Sequence, residues 1–251
     1  MDRTLGVKAA RVAIVLAVFA LWEMLSRTGI VNPRLLPSAS DTFVMLGELL
    51  QRAGVRNDLV VTASEVSTAF VLAVPIGTLI GLLIAENRYF AEVVKPLLFF
   101  AFSIPKSIFL PMFILVFGVG FSQKVGFGFF STIFIVIMST TTAVESVKVE
   151  HLTVARSYGA TTMQTAFRVY LPSMLPVLLE ALRISMIFNL TGVILAEMYA
   201  SRDGIGHQIA TWGENFQMQQ LLAGVLMIAA IAVAFNEAVR WVETRCSHWR
   251  T

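Results

Sequence analysis

The chain has 251 residues, 57% hydrophobic and 14% charged, with a mean hydropathy of +0.76 and a formal net charge of +3. Soluble globular chains average nearer 45–50% apolar and about 25% charged, so the composition speaks against a soluble enzyme and for one compact membrane domain. The scattered basic residues form no aromatic-interleaved patch for nucleic acid, and the single cysteine, Cys246, and the distant His151, His207 and His248 offer neither an intramolecular disulfide nor metal-ligand spacing.

A membrane-spanning helix needs about 20 mostly apolar residues. Six stretches qualify, at about Ala9–Leu25, Val66–Ala85, Leu97–Phe117, Val125–Thr142, Ile184–Tyr199 and Leu221–Val239. The predicted class is therefore all-α and polytopic, with about six transmembrane helices. The first stretch follows Arg3, Lys8 and Arg11, as a signal peptide would. No small-residue cleavage site leads into a soluble domain, and more spans follow, so a retained helix is expected. Asn32-Pro33 and Leu36-Pro37-Ser38 then mark irregular chain, with Asp41 to Gln51 as a short surface helix.

Charge sets the orientation. With six spans both termini share a side, and if that side is the cytoplasm it holds twelve Lys and Arg residues against six outside. Lys106 falls within the third span, about 14 Å from its start for a straight helix. A lysine at the bilayer centre costs about 2.5–3.5 kcal/mol, so it is expected to face protein or a watery cavity. Two roles stand for it: attraction of an anion along a translocation path near Ser103, or capping of carbonyls freed by Pro105 and Pro111. In the fifth span Ser185 and Asn189 share a helix face and either line a path or bond to a partner subunit. Glu197 reads as orienting the Gly204-Ile205-Gly206 turn. Trp22, Trp212, Trp241 and Trp249 read as interfacial anchors.

Residues 145–183 are too charged to cross the bilayer, yet carry Val154, Phe167, Val169 and Leu171, which suits short helices against the inner face. Gly159 permits a left-handed turn, and Leu171-Pro172 is expected to end a segment. From Thr153, through Val154, Ala155, Arg156, Gly159 and Ala160, to Val169-Tyr170-Leu171-Pro172, the segment resembles the cytoplasmic E-A-A-x3-G-x9-I-x-L-P loop of ABC-importer permeases. Thr153 stands where that family has Glu, Val154 where it has Ala and Val169 where it has Ile.

Further pieces in order are Leu21-Trp22-Glu23, Leu36-Pro37-Ser38, Lys95-Pro96-Leu97, Ile104-Pro105-Lys106, Leu110-Pro111, Phe117-Gly118-Val119-Gly120, Ala196-Glu197-Met198 and Gly204-Ile205-Gly206. The series is similar to permeases of the nitrate/sulfonate/bicarbonate/taurine group. The resemblance implies a type I ABC-importer permease fold in a bacterial inner membrane. Residues 1–55 would form an N-terminal helix and outer loop, 56–245 a five-helix core, and 246–251 a cytoplasmic tail. It also implies a second permease copy, as a homodimer, two ATPase subunits and an external solute-binding protein. Thr153, Ala155, Arg156, Gly159, Ala160, Leu171 and Pro172 would then meet the ATPase.

The chain has no G-x-x-x-x-G-K-[ST] phosphate loop, so no catalytic residue or cofactor is expected in it; ATP and Mg would be bound by the partner ATPase. The implied cargo is a small anion such as a sulfonate, nitrate or bicarbonate. An ATP-independent carrier or channel is the alternative. It would need coupling-ion carboxylates within the spans and inverted halves, and Lys106 is the evident intramembrane charge.

Overall fold

A computed structural model describes residues 2–147 and 149–246 of the chain; among them there are helices and no strand. In order these are α1 (Asp2–Arg27), α2 (Ala39–Gln51), α3 (Ala53–Glu86), α4 (Arg88–Ser103), a 3-10 turn (Lys106–Phe109), α5 (Leu110–Phe117) and α6 (Phe121–Glu145). Then come α7 (Val149–Ser157), α8 (Thr162–Thr165), a π turn (Ala166–Tyr170), α9 (Leu171–Tyr199), α10 (Ile205–Glu214) and α11 (Met218–Cys246). Five helices are each long and apolar enough to cross a membrane, and a sixth candidate is a broken pair.

That pair corrects the straight third span. α4 and the segment Lys106–Phe117 meet at 78°. Ile104, at φ −70° and ψ 127°, sits in the extended region, where the ring of the following Pro105 pushes it. Lys106 therefore lies at a break, and the straight-helix depth does not apply to it.

Small residues decide where the helices meet. α6 lies between α3 and α9. Lipid tails are as apolar as leucine, so close backbone packing rather than the hydrophobic effect holds such helices together. At Gly81 a Cβ would lie 2.7 Å from Thr140 Cβ and 2.8 Å from the Ile137 carbonyl oxygen; at Gly192 it would lie 2.6 Å from Ser131 Oγ. Gly81→Ala is accordingly expected to cost about 1–3 kcal/mol, read as a lower unfolding midpoint in detergent. Gly54→Ala, where the added carbon meets open space, is the control. A Gly81 variant as stable as the control would overturn the packing assignment.

Two long helices start earlier than their apolar stretches. α3 begins at Ala53, 13 residues before Val66, and α9 at Leu171, 13 before Ile184. Of the polar residues ahead of Val66, Asp58, Thr62 and Glu65 are buried and face polar partners inside the fold. Pro172, expected to end a segment, instead occupies the first turn of α9, where its missing N–H costs no hydrogen bond. At about 1.5 Å per residue the 29 residues of α9 reach about 44 Å, longer than a hydrocarbon core of about 30 Å.

α1 stands at the periphery, against α2. The Trp22 indole N–H donates to the Pro37 carbonyl at 2.9 Å, and the Phe19 ring packs 5.5 Å from that of Phe43. α2 lies along α11, burying Leu49 with Ile205, Ile209, Trp212 and Met227. Trp212 is thus a core residue and not an interfacial anchor: its ring covers Gly224, where a Cβ would come within 2.8 Å of it. Trp241 is exposed, and Trp249 lies outside the described residues.

Candidate functional site

The loop singled out in the sequence is an elbow with two defined caps. α7 ends in a turn whose Ala160 N–H donates to the Ala155 carbonyl at 3.0 Å, with Gly159 left-handed at φ +70°. This is the six-to-one closure in which glycine avoids a Cβ clash. The next helix opens with a reciprocal cap. Thr161 N–H donates to Gln164 Oε1 at 2.9 Å, and Gln164 N–H to Thr161 Oγ1 at 3.3 Å. That Thr-x-x-Gln capping box was readable in the sequence and missed.

No atom lies within 4 Å of a Cβ built at Gly159, and Tyr158 beside it is 88% exposed. The convex side of the elbow is therefore bare. Thr153 is exposed and bonded to the Val149 carbonyl at 3.1 Å, Leu171 is exposed, and Ala155, Ala160 and Pro172 are half-buried. The Arg156 side chain lies outside the described residues, as does that of Cys246. The concave side is anchored: Leu152 and Tyr170 pack on Ala143, Val147 and Met174, at the ends of α6 and α9. The Lys95 and Glu145 side chains form an ion pair between α4 and the end of α6. A push on the elbow thus reaches two long helices through packed side chains.

The path candidates separate. The half-buried Lys106 donates from Nζ to the Phe102 carbonyl at 3.2 Å and sits 4.2 Å from the centre of the Phe102 ring. α4 ends at Ser103, so that carbonyl lacks its usual helical donor. Ser103 is exposed and bonds back to the Phe99 carbonyl at 2.8 Å. Ser185 and Asn189 are fully buried within this chain. Ser185 bonds to the Leu182 carbonyl, and Asn189 Nδ2 reaches across to the Val66 carbonyl of α3 at 2.7 Å.

Sequence reasoning missed a buried charged network at the opposite end of the bundle. Lys124, one residue ahead of the Val125–Thr142 stretch and one of the six Lys and Arg residues expected outside, is buried in α6 with its Nζ 2.5 Å from Glu65 Oε1 and 3.1 Å from Ser201 Oγ. Lys106 is therefore not the only charge inside a span. Next to this pair the first N–H groups of α10 find side-chain acceptors. Gly204 N–H donates to Asp58 Oδ1 at 3.0 Å, Ile205 N–H to Thr62 Oγ1 at 2.9 Å and Gly206 N–H to Glu197 Oε2 at 2.7 Å. The Thr62 hydroxyl donates to Glu197 Oε1 at 2.6 Å. A helix start has unpaired donors and favours negative charge, which explains carboxylates there.

Glu197 thus orients the Gly204 turn, as expected. Gly204 has φ +103°, and a Cβ on it would strike the Glu197 carboxylate at 2.1 Å. The readable signal was Asp58, Thr62 and Glu65 at spacings of four and three, one polar stripe on a helix face.

Comparisons with known proteins agree with this geometry. Residues 73–248 match the family described as the binding-protein-dependent transport system inner membrane component. The chain is 25% identical to the taurine transport system permease of Escherichia coli (strain K12), over 99% of this chain and 91% of that one. It is 24% identical to a putative aliphatic sulfonates transport permease of Bacillus subtilis (strain 168), over 93% and 84%. It is 26% identical to a formylaminopyrimidine transport permease of Halalkalibacterium halodurans, over 94% and 93%. Among solved structures, an inward-facing MetNI methionine ABC transporter matches with a TM-score of 0.63 at 20% identity, covering 79% of this chain and 96% of that one.

Proposed function

The chain belongs to the binding-protein-dependent inner-membrane permeases of ABC importers, and on that premise we propose that it carries a small anion, as two copies driven by two ATPase subunits that bind ATP and Mg. Family membership sets aside the ATP-independent carrier. The observation that carries the ATPase contact is the elbow at Gly159: bare on its convex side, capped at both ends, and packed onto α6 and α9. Both termini are cytoplasmic in this reading, which the twelve-to-six bias in Lys and Arg supports even with Lys124 removed from the outer count.

An anionic cargo is supported by the relatives named for taurine and aliphatic sulfonates, and by the Lys106 cation at the helix break. Ser103 and Lys106 are the path candidates with exposed or half-buried side chains; the burial of Ser185 and Asn189 supports a packing role for them. The test is purification from the membrane with its ATPase, followed by uptake into vesicles. ATP-driven uptake that requires the external binding protein is expected, and uptake without either partner would overturn the reading.

Lys106 gives a second expected result. Lys106→Met is expected to lower uptake of the anion several-fold and, by uncapping the Phe102 carbonyl, to cost about 1–3 kcal/mol in stability. Lys106→Arg keeps the charge and is expected to retain more uptake, with altered geometry. Unchanged uptake and unchanged stability in Lys106→Met would overturn both roles.

A further inference from the structure

Three carboxyl groups and one ammonium are buried together where α3, α6, α9 and the start of α10 meet: Asp58, Glu65, Glu197 and Lys124. Their oxygens are not equally satisfied. Asp58 accepts from Gly204 N–H at 3.0 Å and from Gln208 Nε2 at 2.7 Å, at a helix start that favours an anion. Both Glu197 oxygens are engaged, one by the Thr62 hydroxyl and one by Gly206 N–H. Glu65 differs. Lys124 pairs with its Oε1, while Oε2 finds no donor among the described residues. What the Glu65 carboxyl meets instead is the carboxyl of Glu197, in hydrogen-bonding contact.

Two ionised carboxylates have only acceptors to offer each other. In contact and out of water they do not both stay charged, and one proton held between them satisfies both. Charge balance agrees. With one proton, Glu65 and Glu197 carry a single negative charge, which Lys124 offsets. Without it they carry two against one cation, in an interior where an uncompensated charge is costly. The neighbours do not supply the missing positive charge. Arg202 and Asp203 line a pocket of about 380 Å3 with Glu65 and Lys124, but both are exposed and opposite in sign. On α10 the nearest titratable group along the helix is His207, which is half-buried.

We propose that Glu65 and Glu197 share one bound proton, and that this proton latches the start of α10 onto α3 and α6. Glu197 holds Gly206 N–H and the Thr62 hydroxyl, Thr62 Oγ1 accepts from Ile205 N–H, and Lys124 holds Ser201. Loss of the proton sets a second charge between α3 and α9 and loosens these contacts together. On the permease reading this end faces outside, so the latch responds to external pH; that clause alone rests on the reading. The native chain thus keeps a proton that ordinary glutamates, with a pKa of about 4.3, have released in the unfolded chain at neutral pH. Its contribution to stability is whole below that unfolded value and is lost as the pH rises through the point where the native pair lets the proton go.

The test uses the whole chain in detergent, where neither sidedness nor transport enters, so its failure leaves the permease reading untouched. Glu65→Gln is the decisive variant. Its Oε1 still accepts from Lys124, its Nε2 donates to Glu197 where the shared proton stood, and one carboxylate still faces one cation. It is expected to fold with a midpoint near that of the parent at about pH 6, and the parent to lose roughly 3–5 °C more than the variant per pH unit above that. His207 and the other groups common to both proteins cancel in this difference. The infrared carbonyl stretch of a protonated carboxyl is expected in the parent at neutral pH and is lost in both Glu65→Gln and Glu197→Gln. The shared proton falls if the parent has no such band, if the band survives in these variants, if the two midpoints run parallel with pH, or if Glu65→Gln is as damaged as Lys124→Met.

Discussion

Lys124→Met is expected to leave little folded protein in the membrane. Its side chain is 4% exposed and its Nζ lies 2.5 Å from Glu65, itself 1% exposed. Removing the cation strands the Glu65 carboxylate in the interior, with Glu197 held close by through Thr62. Breaking a buried pair in this way costs about 3–5 kcal/mol, a large share of a typical stability of about 5–15 kcal/mol. The consequence spreads, because Lys124 also holds Ser201, in the turn that leads to Gly204 and the start of α10. Replacing both members by apolar residues of similar volume is often neutral, so Lys124→Met with Glu65→Leu should recover most of the loss. Unfolding midpoints of the two single variants and the double variant in detergent check this. A double variant no better than Lys124→Met would show that the pair is not what holds the site.

Gly159→Asp is expected to abolish most ATP-driven uptake while insertion and folding survive. The two effects separate because of where Gly159 sits. Its φ of +70° costs a non-glycine residue about 1–2 kcal/mol, and aspartate, whose short side chain bonds locally, tolerates that region better than most. The space above it is open, so the isolated chain loses no packing. A loss far beyond that strain must come from something that docks there. Gly159→Asn adds bulk without charge, in a residue also found at left-handed helix ends. It is expected to fall between the parent and the aspartate variant in co-purification with the ATPase and in uptake. Full uptake by Gly159→Asp would remove the elbow from the coupling interface.

Local signals made much of this chain legible. The apolar stretches announced the spans, because a helix in lipid must be apolar over about 20 residues. The short helix expected at Asp41 to Gln51 is part of α2. The turn at Gly159 followed from glycine between two amphipathic segments; Pro105 carried a signal for the broken span, but the third stretch was expected straight. Helix starts were harder. Asp58, Thr62 and Glu65 counted against membrane burial in the sequence, while in the fold they lie buried inside α3. Trp212 resembled an interfacial anchor because it lies near a span end, yet it covers Gly224 in the core.

By itself the sequence determined the all-α class, the position of five apolar spans, the family, and the elbow between α7 and α8, since each depends on residues close together along the chain. Only the tertiary structure decided which polar residues meet. Thr62 and Glu197 are 135 residues apart, and Asp58 and Gln208 are 150 apart. Nothing local marks such partners, because a buried carboxylate is stabilised by whichever donor the packing brings to it.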